Sequence, residues 1–352
     1  MAKRVYFENS KKQGTITIPD LNKTKGEKQF ICWTLNNSEY VPGKTYTITE
    51  NITLTAYYYK TDIYTAEELS QFRDTVNSGK TFTGKTINLK NDIDLSNICG
   101  QTIGSWVPIG NYSANNTLIF SGTFEGNNHT INNLYINTTS NYQGLFGYSK
   151  DSRIANLNIT GEIKGAAFFT GAFVGAQEGE IVNCINYVNV NSTGNAVGGL
   201  AGWQIGTITR CKNRGIIQST ASIIGGIVGQ QMGNVIQCAN YANVIANGSS
   251  VGGIAGDMRN GSKIEECFNK GDITSYWWDY TQVGGIFGNA YICSVRVSYC
   301  YNRGNIYGRN IEVGGIGGAT YNSGFTTTNC YNTGTISGGG RIGAIIGQCS
   351  GA

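Results

Sequence analysis

The sequence is poor in charge and in several of the residues that most often carry chemistry. Charged residues make up 14% of the 352 positions, against a usual figure of roughly 25%. There are 3 Pro, 3 Met and a single His, His129. One histidine allows at most one Ser-His-Asp or Cys-His arrangement, and no nucleophile elbow surrounds it, so His129 reads as a turn or surface imidazole. No run of about 18 apolar residues occurs, which excludes a spanning helix, and the first residues lack the apolar stretch of a signal peptide. The ten Cys show no C-x-x-C spacing, and with so little His a metal site is not expected, nor is any other cofactor. The basic excess is confined to residues 1–90, with 13 Lys+Arg and 9 Asp+Glu, while the remainder carries 13 of each. Without a clustered basic stripe, nucleic acid is not an expected partner.

Glycine is what the chain has in abundance, with 50 residues. It falls in a repeat. Gly-x-x-x-Gly begins at Gly171, Gly198, Gly225, Gly252, Gly284, Gly314 and Gly343, at spacings of 27, 27, 27, 32, 30 and 29, with Gly144-Leu145-Phe146-Gly147 as a shorter copy. A second motif, Cys-x-Asn, runs in phase with it, pairing Cys184 with Asn186, Cys211 with Asn213 and Cys238 with Asn240. It continues as Cys267 with Asn269, Cys300 with Asn302 and Cys330 with Asn332.

The repeat interiors are rich in Gly, Thr, Asn and Ile, which disfavour helix, and the Leu framework of leucine-rich repeats is absent. Each repeat reads as three short strands between Gly or Asn turns. The expected fold is all-β, a right-handed parallel β-helix with coils of about 27 residues in which like residues stack as ladders. Residues 1–60 form a separate small β module, 61–80 a capping helix and 81–352 the β-helix. The helix is expected at 65–76, with Leu69, Phe72 and Val76 on its apolar face, covering the open end of the solenoid. Thr86–Leu89 and Ile93–Leu95 read as the first rung. The chain halts just after a repeat motif at Gln348-Cys349, so it is expected to be a piece of something longer.

Two stretches carry resemblances. Phe30-Ile31-Cys32-Trp33-Thr34, Tyr40-Val41-Pro42-Gly43-Lys44 and Ile52-Thr53-Leu54-Thr55-Ala56 resemble the Listeria-Bacteroides repeat, a β-grasp-like module of bacterial surface proteins. Cys32 stands where that family usually has Gly before the Trp. From Gly144 onward the copies resemble the GLUG-motif repeats of secreted and surface-attached bacterial proteins, with Trp106-Val107-Pro108-Ile109-Gly110 and Thr123-Phe124-Glu125-Gly126 as their lead-in. The resemblances imply an extracellular or cell-surface bacterial protein with adhesive or binding roles, and neither transfers a catalytic residue.

The six repeating Cys are expected as an inward ladder of packed thiols, bridges remaining an alternative, with Cys293 and Cys349 the better disulfide candidates. The Gly motifs fit neither a calcium nonapeptide nor a phosphate loop and read as structural. The best functional signal is an irregularity. The interval from Gly252 to Gly284 is five residues longer than 27 and contains Tyr276-Trp277-Trp278-Asp279-Tyr280. Insertions in a solenoid map to loops on one face, so these residues are the candidate contact for a glycan or a host or microbial surface protein. The expected function is a non-enzymatic, adhesin-like module. The alternative is a polysaccharide lyase or glycoside hydrolase using a carboxylate pair, drawn from Asp92 with Asp94, Glu178 with Glu180, or Glu265 with Glu266.

Overall fold

The computed structural model describes residues 3–7, 14–112, 118–165, 168–291, 294–309, 311–321 and 324–350. Over these residues it is an all-β chain wound into a parallel β-helix of about 10 turns, with one α-helix. Three parallel sheets of 7, 16 and 14 strands form its walls. The coil from Ala196 to Ser219 shows the plan. Ala196–Gly198 lies on a short face, Ala201–Gln204 and Thr207–Thr209 on a second face, and Lys212–Asn213 and Ile217–Ser219 on a third. The three strands expected per repeat are thus three faces, two of which are bent into two segments by a glycine such as Gly206 or Gly215. A Cβ at Gly206 would lie 1.8 Å from the carbonyl oxygen of Gly179, so no larger residue fits at that bend.

The second and third faces, the glutamine and asparagine faces, each carry a column of inward amides. Gln177, Gln204 and Gln231 point into the glutamine face, and Asn186, Asn213, Asn240, Asn269 and Asn302 into the asparagine face, all fully buried. The register is one-to-one from coil to coil, Asn186 on Asn213, Asn213 on Asn240, Asn240 on Asn269 and onward to Asn332. Each Asn Nδ2 donates to Oδ1 of the Asn in the next coil at 2.7–2.8 Å. Each also donates to the carbonyl two residues on, for instance Asn213 to Gly215 at 3.0 Å. Buried amides are tolerated when paired in this way.

The cysteines stand in the adjoining column. The N–H of Cys184 donates to Sγ of Cys211 at 3.4 Å, that of Cys211 to Sγ of Cys238 at 3.4 Å, and that of Cys238 to Sγ of Cys267 at 3.3 Å. Cys184, Cys211, Cys238, Cys267, Cys300 and Cys330 are all free thiols, as is the exposed Cys349. Cys293 lies outside the described residues. The residue before each ladder Cys turns the corner with a left-handed backbone, at φ 54° for Asn183 and Arg210, 53° for Gln237, 52° for Glu266, 55° for Tyr299 and 54° for Asn329.

The helix Ala66–Asn77 buries Leu69, Phe72 and Val76. Thr65 caps it, accepting from the N–H of Glu68, and Glu68 reaches back to accept from Tyr64 N–H at 2.6 Å. Phe72 meets Phe82, Phe120 and Phe124 at ring centroid distances of 5.1, 5.6 and 6.0 Å, so the helix closes the open end of the solenoid core. Parallel pairing begins before the helix, where Asp62–Ile63 pairs with Asn88–Leu89. The first rung proper, Thr86–Leu89 and Ile93–Asp94, pairs with Thr123–Glu125 and Ile131–Asn132.

Residues upstream of Lys60 make antiparallel sheets of five and two strands. Trp33 is central to their core, packed with Phe30, Ile48 and Leu54, and its Nε1 donates to Pro19 O at 2.7 Å. The other side of the same strand is covered too. Ile31 and Cys32 join the core of the solenoid, and Tyr59 meets Phe82 edge-on at 5.4 Å.

Candidate functional site

The structure separates the five extra residues of the Gly252–Gly284 interval into two insertions. Gln231 pairs with Met258, an offset of 27, but Asn234 pairs with Lys263, an offset of 29, so two residues enter at the Asn260–Gly261 turn. The offset is still 29 where Ala246 pairs with Ser275 and becomes 32 where Ser250 pairs with Gln282. Three residues therefore enter at the aromatic turn, between strands Ile273–Ser275 and Thr281–Gly284. Tyr276, Trp278 and Tyr280 are 55, 67 and 69% exposed. Asp279 is exposed and Trp277 half-buried, and the two indoles lie 6.2 Å apart with their planes inclined by 32°. The turn is pinned at its ends, where Tyr276 N–H donates to Ala246 O at 3.0 Å and Thr281 Oγ1 to Asp279 O at 2.7 Å.

The candidate carboxylates are all engaged one by one. Asp92 accepts from Thr130 N–H at 2.9 Å and lies 3.1 Å from Nδ1 of His129. Those two contacts, the backbone one first, hold its carboxyl below the usual range. Asp94 accepts from Asn133 Nδ2 at 2.8 Å and Ser96 N–H at 2.9 Å, which lowers it likewise. Glu180 pairs with Arg153 at 2.8 Å, Glu178 with Lys150 at 3.1 Å and with the Tyr148 hydroxyl, Glu265 with Lys263, and Glu266 with Gln237 at 2.8 Å. No group of three His, Cys, Asp or Glu among the described residues is placed to hold a metal ion. No helix among them is long and apolar enough to cross a membrane.

Sequence reasoning missed two aromatic assemblies. On the outer side of the asparagine face, Phe268 stacks on Tyr301 at 4.9 Å and 5°, and Tyr301 on Tyr331 at 5.2 Å and 7°. These are the middle residues of successive Cys-x-Asn motifs. Their faces are spent on one another, so the column braces coils and presents ring edges outward. The second assembly is a cleft at the corner between the short face and the glutamine face, about 370 Å³ in volume, whose lining includes Tyr142, Tyr148, Phe169, Trp203, Glu178 and Arg259. Burial first, and then the Glu178 carboxylate at its hydroxyl, push the Tyr148 phenol up. Tyr142, Tyr148, Phe169 and Trp203 come from three successive coils, and only the coil register shows that they share one corner.

No family model matches the chain, and no curated protein matches it. A solved structure described as "a putative immunoglobulin A1 protease from Bacteroides ovatus" is similar to it, with 17% identity, a TM-score of 0.51 and 82% of each chain covered. The likeness is one of fold.

Proposed function

We propose that the chain is a non-catalytic, adhesin-like module of a bacterial surface or secreted protein, its β-helix a rigid stalk that presents a contact for a glycan or a surface protein. The observation that carries this reading is the exposure of the inserted turn. Trp278 and Tyr280 are 67 and 69% exposed, on a turn three residues longer than its counterpart in the coil before. Indole and phenol rings left in water on a rigid frame are the usual anchors of recognition, because they bury large area at little entropy cost. Asp279 beside them supplies a hydrogen-bond acceptor. The resemblance of residues 5–60 to the Listeria-Bacteroides repeat and of the coils to GLUG repeats supports a surface setting. The fold shared with the Bacteroides ovatus protein carries no catalytic residue to this chain.

The test is a glycan array and a binding screen against surface proteins, run with the intact chain and with Trp277→Ala/Trp278→Ala. Binding by the intact chain that weakens about tenfold or more in the double variant is expected. Absence of binding, or equal binding by both, removes the turn from the reading. Release of reducing sugar or of unsaturated products from a polysaccharide panel would overturn its non-catalytic character.

A further inference from the structure

The corner cleft stands apart from the aromatic turn and is built differently. We propose that it is a second site, one that binds a neutral pyranose oligosaccharide.

Two outward columns meet at this corner. One reads Tyr142, Phe169, Ala196 and the other Tyr148, Ala176, Trp203, one residue per coil in each. Tyr142 and Tyr148 share the first of these coils, and beyond it large and small residues are staggered, so that Phe169 shares its coil with Ala176 and Trp203 shares its coil with Ala196. The rings therefore run from Tyr142 to Phe169 along one column and then cross to Trp203 in the other, so that neither column is filled by rings throughout. Tyr142 and Phe169 lie 5.5 Å apart at 36°, and Phe169 and Trp203 6.0 Å apart at 31°. Ala176 leaves a notch between Tyr148 and Trp203. The cleft's volume of about 370 Å³ suits a small ligand, such sites running from roughly 300 to 1,000 Å³. A further cavity of about 270 Å³ shares Tyr142 with it, which makes room for a chain of sugar units.

The polar groups of the cleft are set for hydroxyls. Glu178 is held by Lys150 and the Tyr148 hydroxyl. Arg259 donates through Nε to Asp257 Oδ2 at 2.7 Å and through Nη1 to the side-chain oxygen of Gln230 at 2.9 Å. Asp257 is buried, its side chain only 4% exposed, so the guanidinium is anchored from below. Each lining charge arrives with its own counter-charge, and an acidic ligand would have to break one of these pairs. Fixed carboxylate and guanidinium groups instead match paired hydroxyls, while the rings take the apolar C–H face of a sugar. A peptide strand has no backbone edge to join here, because Gln143 and Gly171 exchange hydrogen bonds with neighbouring coils.

Titration of the full chain with short neutral gluco-, manno- and galacto-oligosaccharides and with uronate oligosaccharides, by calorimetry, tests the assignment. Saturable binding of a neutral series is expected, weakened about tenfold or more by Trp203→Ala and by Arg259→Ala, kept within a few-fold by Trp203→Phe, and untouched by Tyr187→Ala on the outer side of the asparagine face. Should Trp203→Ala disturb folding by circular dichroism, Tyr142→Ala at the rim gives the same reading. Absence of binding by every neutral series, preference for uronates, or indifference to both Trp203→Ala and Tyr142→Ala would overturn it. Loss of binding in Trp278→Ala alone would overturn it too, by moving the ligand to the turn.

Discussion

Gly226 lies directly against the side chain of Asn240. A methyl group on Gly226 would sit 2.6 Å from Cγ of Asn240 and 2.2 Å from the carbonyl oxygen of Gly253. The same contact recurs between Gly199 and Asn213, Gly253 and Asn269, Gly285 and Asn302, and Gly315 and Asn332. The in-phase spacing of the two sequence motifs is thus a packing relation across the inside of one coil. Where the asparagine column has not yet begun, both positions are larger and apolar, with Leu145 in the glycine slot and Ile159 in register with Asn186.

Asn240→Ala should cost roughly 2–4 kcal/mol, since it strands buried groups above and below at about 1–3 kcal/mol each. Asn213 Nδ2 loses one of its two acceptors and Asn269 Oδ1 its donor. Urea unfolding of the variant should show a lower midpoint, whereas Asn191→Ala, on the exposed side of the same face, should stay within about 0.5 kcal/mol of the parent. Equal stability of the two variants would contradict the role given to the column.

Tyr299→Asn should stabilise the chain. Tyr299 is 58% exposed and holds φ 55°, a conformation that is unfavourable for most side chains by about 1–2 kcal/mol and that Asn adopts more readily. A melting temperature raised by a degree or more is expected, and a lowered one would show that the ring contributes more than its backbone conformation costs.

The central ladder thiols, Cys211, Cys238 and Cys267, should resist modification in the native state. Burial holds Cys211, Cys238 and Cys267 well above the ordinary thiol range, so raising the pH to about 8.5, where a free Cys is half ionised, leaves them protonated. Exposed Cys349 should alkylate readily. Peptide mass spectrometry after brief alkylation distinguishes them, and early labelling of Cys238 would contradict the buried column.

Removing Trp277–Asp279 should leave the coil intact. The deletion makes the connection from Ser275 to Gln282 as long as the one from Ala246 to Ser250 in the coil before. An unchanged β signal and a melting temperature within a few degrees are expected, together with loss of any binding assigned to the turn. A collapse of stability would show that these residues hold the coil itself.

Much of the fold was legible because a stacked coil repeats its demands at a fixed interval. Gly-x-x-x-Gly and Cys-x-Asn mark corners and inward columns, and Leu69, Phe72 and Val76 repeat at helical spacing where the end must be closed. The cleft was not legible, since Tyr142, Phe169 and Trp203 lie 27 and 34 residues apart in the sequence and meet only through the register of three coils. Nor was the division of the long interval, because its length gives a sum, and pairing alone shows that two residues enter at Asn260–Gly261 and three beside Trp278. The bracing of Ile31 and Cys32 against the solenoid was hidden for a related reason. A strand buried on both sides shows no alternation from which to read a second partner.

The side-chain amides from Asn186 to Asn302 all hand an N–H forward, the last of them to Asn332, and none hands it back. Their dipoles add, much as peptide dipoles do along a helix, and give the interior a polarity with its positive pole away from the capping helix. Two such spirals laid end to end in the same sense could continue the series, while a head-to-head meeting would set like poles together. The molecule has an electrical direction as well as a geometric one.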